Sequence, residues 1–388
     1  MGLLTRIMAI GPPPEDDFWY RPFGFGSPTQ AGVGVDADSA MRLSAVYACV
    51  KVLAETVASL PLIVYRNRPD GGKERARDHP LFDLMHDRPN RWQTSFEWRE
   101  MMMGHLVLRG NAYSEMLAGP RGFVSELMPL HPDRIKVDLT PDRTIRYRHR
   151  DADGTERVIL QDRMFHLRGL SSNGLTGISV IALARESIGL GLATEGYGAR
   201  LFSQAPRPSG VIEHPMKLTK EASTRIAASW QQAHTGLDQV HKAAILDEGM
   251  KWHQIGMTAE DSQFLETRKW QVRDIARWFR MQPHKIQDLE NATFTNIEQQ
   301  AIEHVVDTIR PWLIRWEQRI KTDLILDGQG FFVEFLVDAL LRGDTESRFK
   351  AYATARQWGW FSVNDIRRLE NLNPIDGGDT YLQPMNMI

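Results

Sequence analysis

The sequence predicts an α+β fold in which two long helices enclose a small βαβ insert, and three observations carry that prediction. Two stretches, 178–202 and 258–279, show helical apolar spacing over lengths that would span roughly 37 Å and 33 Å at 1.5 Å per residue. The segment between them reads strand (210–213), helix (219–235), strand (243–246), with a further short extended piece near 252–255. Ahead of all this, short extended runs separated by turn residues alternate with helical runs, as in a mixed sheet-and-helix unit.

Composition sets the outer limits. A chain of 388 residues can bury a substantial core in two or three packing units. With 42% hydrophobic and 25% charged residues it has the make-up of an ordinary globular protein. A net charge of −2 argues against tight nucleic-acid binding, because Lys and Arg on phosphate supply most non-specific affinity. The one cysteine, Cys49, allows no intrachain disulfide, suits a reducing compartment, and sits in an apolar helical run as a small buried hydrophobe. The most apolar stretch, 46–65, contains Lys51, Glu55 and Pro61, so no membrane span is expected.

Along the chain, residues 1–40 carry Pro12, Pro13, Pro14, Pro22, Pro28 and several glycines without apolar period, and are expected to form a flexible arm. An α+β unit, 41–177, follows. Its helices are expected at 43–59, 80–87 and 94–109, and its strands at 62–66, 112–117, 124–129, 135–139, 145–149, 156–160 and 164–167. Pro61 separates the first helix from the first strand, and Asp151-Ala152-Asp153-Gly154 reads as a hairpin turn; it lacks the later ligands of a calcium loop. The first long helix, 178–204, contains Gly189, Gly191, Gly196 and Gly198. At about 1 kcal/mol each in an exposed helix, these call for a compensating close helix–helix approach. After the insert, 205–257, comes the second long helix, 258–281, ended by Gln282-Pro283. A polar segment (282–296), a long helix (297–326, within 297–333) and a helical C-terminal region (334–388), with Trp358, Trp360 and Phe361 as expected packing centres, complete the order.

Several short motifs recur in one order: Ala45 to Val50 with Leu60-Pro61-Leu62, His79-Pro80-Leu81, Arg88-Pro89-Asn90, Arg109 to Tyr113 and Leu130-His131-Pro132. Ile245-Leu246-Asp247, Thr293 to Gln300 and Asn364-Asp365-Ile366-Arg367 continue it. By that order the chain resembles the HK97-type phage portal proteins, the head–tail connectors, over about residues 40–385. It departs from them at Met281-Gln282-Pro283, where Val or Ile usually precedes the proline, and at Gln287-Asp288-Leu289, where Gly is common.

The resemblance implies a portal fold: an α/β wing, two stem helices enclosing a βαβ clip, a tunnel loop and a helical crown. It further implies a homo-oligomeric ring of about twelve subunits at one capsid vertex, conducting double-stranded DNA during packaging and ejection. Its partners would be the terminase large subunit, head–tail adaptors and the major capsid protein, with no cofactor and no membrane. The location would be the virion, assembled in a bacterial host's cytoplasm, for a lytic phage, a prophage or a gene transfer agent. Lys285, Asn291, Thr293, Thr295 and Asn296 would face DNA on the tunnel loop, where neutral donors touch phosphate without strong adhesion. Thr295 and Asn296 equally suit an N-cap of the next helix. Lys217, Lys220, Arg225, His241 and Lys242 would line the clip rim or partner surface; a solvated helix face is the plain alternative.

Enzymatic readings find no support in the residues. The histidines at 214, 234, 241 and 253 match no paired-ligand spacing, and neither a Walker A motif nor Gly-x-Ser-x-Gly is present. The alternative is another structural connector or adaptor protein.

Overall fold

A computed structural model describes residues 29–204, 210–213, 219–221, 224–225, 251–254, 259–289, 302–325, 330–337, 345–370 and 372–383. The chain divides into two compact units, Met1–Gly189 with Arg273–Ile388, and Leu190–Val272.

In the larger unit a short helix α1 (Ala37–Ala40), capped by Asp36, leads into α2 (Ser44–Ser59). Helix α2 buries Val46, Cys49, Val50, Leu53 and Val57 along one stripe. It packs on α4 (Ser95–Arg109), which opens with a reciprocal Thr94–Glu97 capping box and closes on Gly110 in the left-handed region (φ 74). Between them lie β1 (Leu62–Asn67), β2 (Lys73–Arg75) and α3 (Leu81–His86). Strands β3 (Asn111–Ala118), β4 (Val124–Leu130), β5 (Ile135–Leu139), β6 (Ile145–Arg150), β7 (Glu156–Leu160) and β8 (Met164–Arg168) follow. They form two antiparallel three-stranded sheets, β4-β3-β8 and β5-β6-β7, whose inner faces meet through Tyr113, Leu130, Val137, Tyr147, Ile159 and Met164. The hairpin at Asp151–Gly154 is present, with Gly154 at φ 89.

The centre of this unit is aromatic. Trp98 of α4 lies edge-on to Trp316 at 5.5 Å between ring centres, approaches Phe165 at 5.9 Å, and donates its indole N–H to Ser114 at 3.0 Å. Trp316 belongs to α8 (Arg310–Asp323), so one cluster joins two helices and the β4-β3-β8 sheet.

The structure corrects the sequence reading at four places. Within the expected arm, residues from Thr29 are packed: Thr29, Val35, Ala37 and Ala40 are buried, and a Cβ on Gly189 would meet the Thr29 side chain at 2.6 Å. Gly189 is therefore filled by Thr29, not by a second helix, and Gly196 has open space where its side chain would be. The first long helix is two: α5 (Val180–Leu183), capped by Ser179, and α6 (Arg185–Gln204), divided at Ala184. Glu334 and Phe335, assigned to the C-terminal region, belong to β11 (Phe331–Phe335), which pairs antiparallel with β1 in the sheet β11-β1-β2. Trp358 and Trp360 are exposed, at 44% and 70%, on either side of the left-handed turn at Gly359 (φ 73). In and between helices α9 (Thr345–Gln357) and α10 (Val363–Leu369) the buried residues are Ala355 and two polar ones: Ser362 caps α10, and Asn364 holds both the N–H and the C=O of Ile375.

In the smaller unit, β9 (Gly210–Glu213) pairs antiparallel with β10 (Lys251–Gln254), and Glu195 of α6 meets Arg268 of α7 (Ala259–Trp278) at 3.0 Å. The strand expected at 243–246 lies outside the described residues.

Candidate functional site at the roots of residues 290–301

Helix α7 delivers the chain to this site. Past Trp278 it ends in a Schellman-type turn: Met281 N–H reaches back to Ala276 C=O at 2.8 Å, with Arg280 in the left-handed conformation (φ 53) that glycine usually supplies. Gln282 is extended, as a residue before proline must be, and Pro283 opens a single 3₁₀ turn, Pro283–Ile286. Gln287 then takes the left-handed region again (φ 67), and Asp288 N–H bonds Pro283 C=O at 3.0 Å. Of the three non-glycine residues with positive φ among the described residues, two are here. Such strain concentrates where a fold fixes a segment for use.

Two tethers hold the turn. Arg273 Nε meets Asp288 Oδ2 at 2.9 Å, pinning the outgoing root to α7. On the returning side, the Thr308 hydroxyl donates to Arg280 C=O at 2.7 Å. Thr308 lies in a π-helical turn, His304–Ile309, directly before α8. Pro311 accounts for that turn: it has no N–H to give to the carbonyl four residues back and its ring crowds that carbonyl, so the preceding turn widens. The expected uninterrupted helix over 297–326 is thereby corrected, at least across its described part.

The local electrostatics are sparse. His304 is buried, and burial first, with Lys285 and His284 adding to it, pushes its pKa down to about 4. Burial and then Lys285 also lower His284, and neither of its ring nitrogens has a hydrogen-bond partner. Lys285 thus stands half-buried beside two imidazoles that are neutral at pH 7. Among the described residues no group of His, Cys, Asp and Glu could hold a metal ion. What the arrangement does is mechanical: it clamps both ends of one polar segment.

Of the residues singled out in the sequence, Lys285 lies in this clamp. Asn291, Thr293, Thr295 and Asn296 lie outside the described residues, as do Lys217, His241 and Lys242. Lys220 and Arg225 are described, and both are exposed. The sequence reading missed Arg273, Asp288, Thr308 and His304. Pro311 inside an apparent helix was the one local signal for the π turn.

A family model described as "Phage portal protein" matches residues 44–371. The "Probable portal protein" of Streptomyces phage phiC31 is 31% identical over 382 residues, covering 94% of this chain and 82% of the relative. The "Portal protein" of Enterobacteria phage HK97 is 30% identical over 356 residues, covering 90% and 83%. Among solved structures, a chain of "Virion of native gene transfer agent (GTA) particle" superposes with a TM-score of 0.66 at 24% identity, over 88% of this chain and 94% of that one. A chain of "Neck of native GTA particle computed with C12 symmetry" gives 0.65 at 23% identity, over 91% and 97%. These two likenesses show a shared fold.

Proposed function

The chain belongs to the phage portal protein family, and from that membership we propose that it is a portal subunit. Copies close into a ring of about twelve at one vertex of a viral or virus-like capsid, and double-stranded DNA passes through the ring on packaging and again on delivery. The observation that carries this reading is the family match over residues 44–371, joined to 31% identity with a portal protein across nearly the whole chain. The twelvefold symmetry of the gene transfer agent neck that shares the fold supports the subunit number.

The clamp at 279–289 and 302–309 suits a tunnel loop, 282–296, held firmly at its base while its polar tip meets DNA. On this reading Lys285, Asn291, Thr293, Thr295 and Asn296 face the duplex. Lys217, Lys220, Arg225, His241 and Lys242 belong to the clip, which meets the terminase large subunit and then the head–tail adaptor. The crown and wing sit within the shell of major capsid protein. A ring of twelve subunits at −2 each carries 12 × −2 = −24, so the ring as a whole repels DNA, which favours sliding over adhesion. The sequence carries no Walker A motif, and on this reading the energy for packaging comes from the motor, while the protein's own part is conduction and docking.

Electron microscopy and native mass spectrometry of the purified protein test this. Closed rings with a central channel wide enough for duplex DNA are expected; monomers and dimers alone, across salt and concentration, would overturn the reading.

A further inference from the structure

The sheet β5-β6-β7 gives one face to the core, through Val137, Tyr147 and Ile159, and turns the other outward. Alternation along the strands places Lys136 and Asp138 of β5, Arg146, Arg148 and Arg150 of β6, and Glu156, Val158 and Leu160 of β7 on the outer face. Four cations there stand against two carboxylates, a formal +2. Register sets Arg146 between Asp138 and Leu160, and Arg148 between Lys136 and Val158. One carboxylate, Asp138, serves two guanidinium groups, at 2.5 Å from Arg148 and 3.7 Å from Arg146. Beside this excess positive charge, Val158 and Leu160 are each 54% exposed on the edge strand β7. Single exposed aliphatics are ordinary; two in neighbouring positions on one strand face, rimmed by arginines, form an apolar spot with a charged border.

The complement of that surface is in the same sequence. Glu15-Asp16-Asp17 is followed directly by Phe18-Trp19-Tyr20, three carboxylates and three aromatic rings in succession. The carboxylates supply what the arginines lack, and the rings can cover Val158 and Leu160 or stack on guanidinium planes. Reach is ample. Asp38 of α1 approaches Arg109 at 3.3 Å, and Arg109 grips Asp133 at 2.9 Å, two residues before β5 begins. Helix α1 therefore lies at one end of this sheet, while Thr29, where the described residues begin, packs on Gly189. The residues from Phe18 to Thr29 extend up to about 40 Å, against roughly 17 Å for the length of a five-residue strand.

We propose that Glu15–Tyr20 docks on the outer face of β5-β6-β7 of its own chain, carboxylates on Arg146 and Arg150 and aromatic rings over Val158 and Leu160. This covers the one sheet face of the larger unit where exposed aliphatics and unbalanced arginines coincide among the described residues.

The test uses the full chain carrying Asp17→Cys and Leu160→Cys, with a short thiol cross-linker. The native Cys49 is silent, because it is fully buried and burial pushes its thiol up to about 12. Intrachain linkage is expected, with both thiols lost and no doubling of mass. Its yield should fall at least about fivefold when Arg146→Glu and Arg150→Glu are added, or when salt rises from about 0.15 M to about 1 M and the screening length shrinks from ~8 Å to ~3 Å. Linkage mainly between chains would put the segment on a neighbouring copy and overturn the proposal, as would a yield indifferent to charge reversal. A second measurement leaves the folded body untouched: amide exchange in β7 should quicken at least about threefold in Glu15→Lys/Asp16→Lys/Asp17→Lys, and unchanged exchange would refute the docking. Neither readout depends on whether the chain forms a ring.

Discussion

Gly177→Ala should be among the most damaging single-methyl changes in this chain, for reasons that can be counted. Three glycines meet where the β-rich part hands over to α5. A Cβ on Gly177 would lie 2.0 Å from Gly110 O and 2.7 Å from Gly169 N, and these are backbone atoms that no side-chain rotation can clear. To admit it, Gly110 and Gly177 must separate by about 1 Å, an overpacking cost of about 1–3 kcal/mol. That shift also strains the Gly169 N–H to Gly110 C=O bond of 2.8 Å, and the bracket in which Asn111 accepts from Gly177 N–H at 2.7 Å and donates to its C=O at 2.8 Å. The same Asn111 Oδ1 pairs with the wholly buried His166 at 3.0 Å, so its displacement reaches a second polar group with no route to water. Losing one such buried bond adds about 1–3 kcal/mol, for a total of about 2–6 kcal/mol. Urea-unfolding midpoints of separated subunits measure it, with Gly196→Ala as the matched control. Nothing lies within 4 Å of a Cβ at Gly196, and its helical position favours alanine by about 0.5–1 kcal/mol. If Gly177→Ala costs under about 1 kcal/mol, the backbone at the junction gives way more easily than these distances allow and the reasoning fails.

Two further expectations concern the clamp. Gln287→Gly removes the left-handed strain of a non-glycine residue, ~1–2 kcal/mol, against a smaller loss from a freer unfolded chain, and should raise thermal stability by about 0.5–1 kcal/mol; a fall would mean the Gln287 side chain matters more than its φ. His304 should make stability pH-dependent. Its pKa in the fold, about 4, lies below the ordinary 6.5, so as pH falls the unfolded chain takes up the proton first. The contribution is whole above about pH 6.5 and is lost on the way down to about 4. Asp323 works in the opposite direction, since desolvation, outweighing the adjacent Arg319, raises it to about 6. The readout is therefore the stability of the wild type minus that of His304→Leu, which should fall by about 2 kcal/mol between about pH 7.5 and about pH 5; parallel pH curves would refute it.

How far the fold was legible depended on whether a signal was local. Strands β5 and β7 and the ends of α2 and α4 follow from alternation, from Pro61 and from the glycine at 110, all within a few residues of the boundary they set. The strand β11 was not read, although Phe331-Phe332-Val333-Glu334-Phe335 after Gly330 has the composition of one, because its partner β1 is far away in sequence. The break at Ala184 has no breaker residue. What the structure does explain is the start of α5: the Ser179 hydroxyl donates to Leu108 C=O at 2.6 Å and accepts from Ala182 N–H at 3.1 Å, a contact set by α4 and not by the local sequence. At the candidate site the polar segment and Lys285 could be picked out by composition. The tethers could not, since Arg273 with Asp288 and Thr308 with Arg280 become pairs only after the chain has turned twice.

Four of the motifs that carry the family resemblance share one physical task. Leu81 N–H bonds the buried His79 ring at 3.1 Å and so sets the start of α3. Asn90, also buried, accepts from the N–H groups of Trp92 and Gln93 and donates to Leu127 C=O, while Leu127 N–H bonds Pro89 C=O, which stitches the loop before α4 to β4. Asn111 brackets Gly177, and Asn364 brackets Ile375. Each is a polar side chain at or below 9% exposure spent on backbone groups that would otherwise be buried unpaired. None is turned outward with a free proton, a nucleophilic atom or a metal-binding arrangement. A set of residues used in this way fixes the positions of loops and helix starts to within a hydrogen bond's tolerance, and that is the property the proposed role needs. In a closed ring, an error in the angle at which one subunit meets the next is repeated at every interface, so the ring closes only if each junction within the subunit is held rigidly.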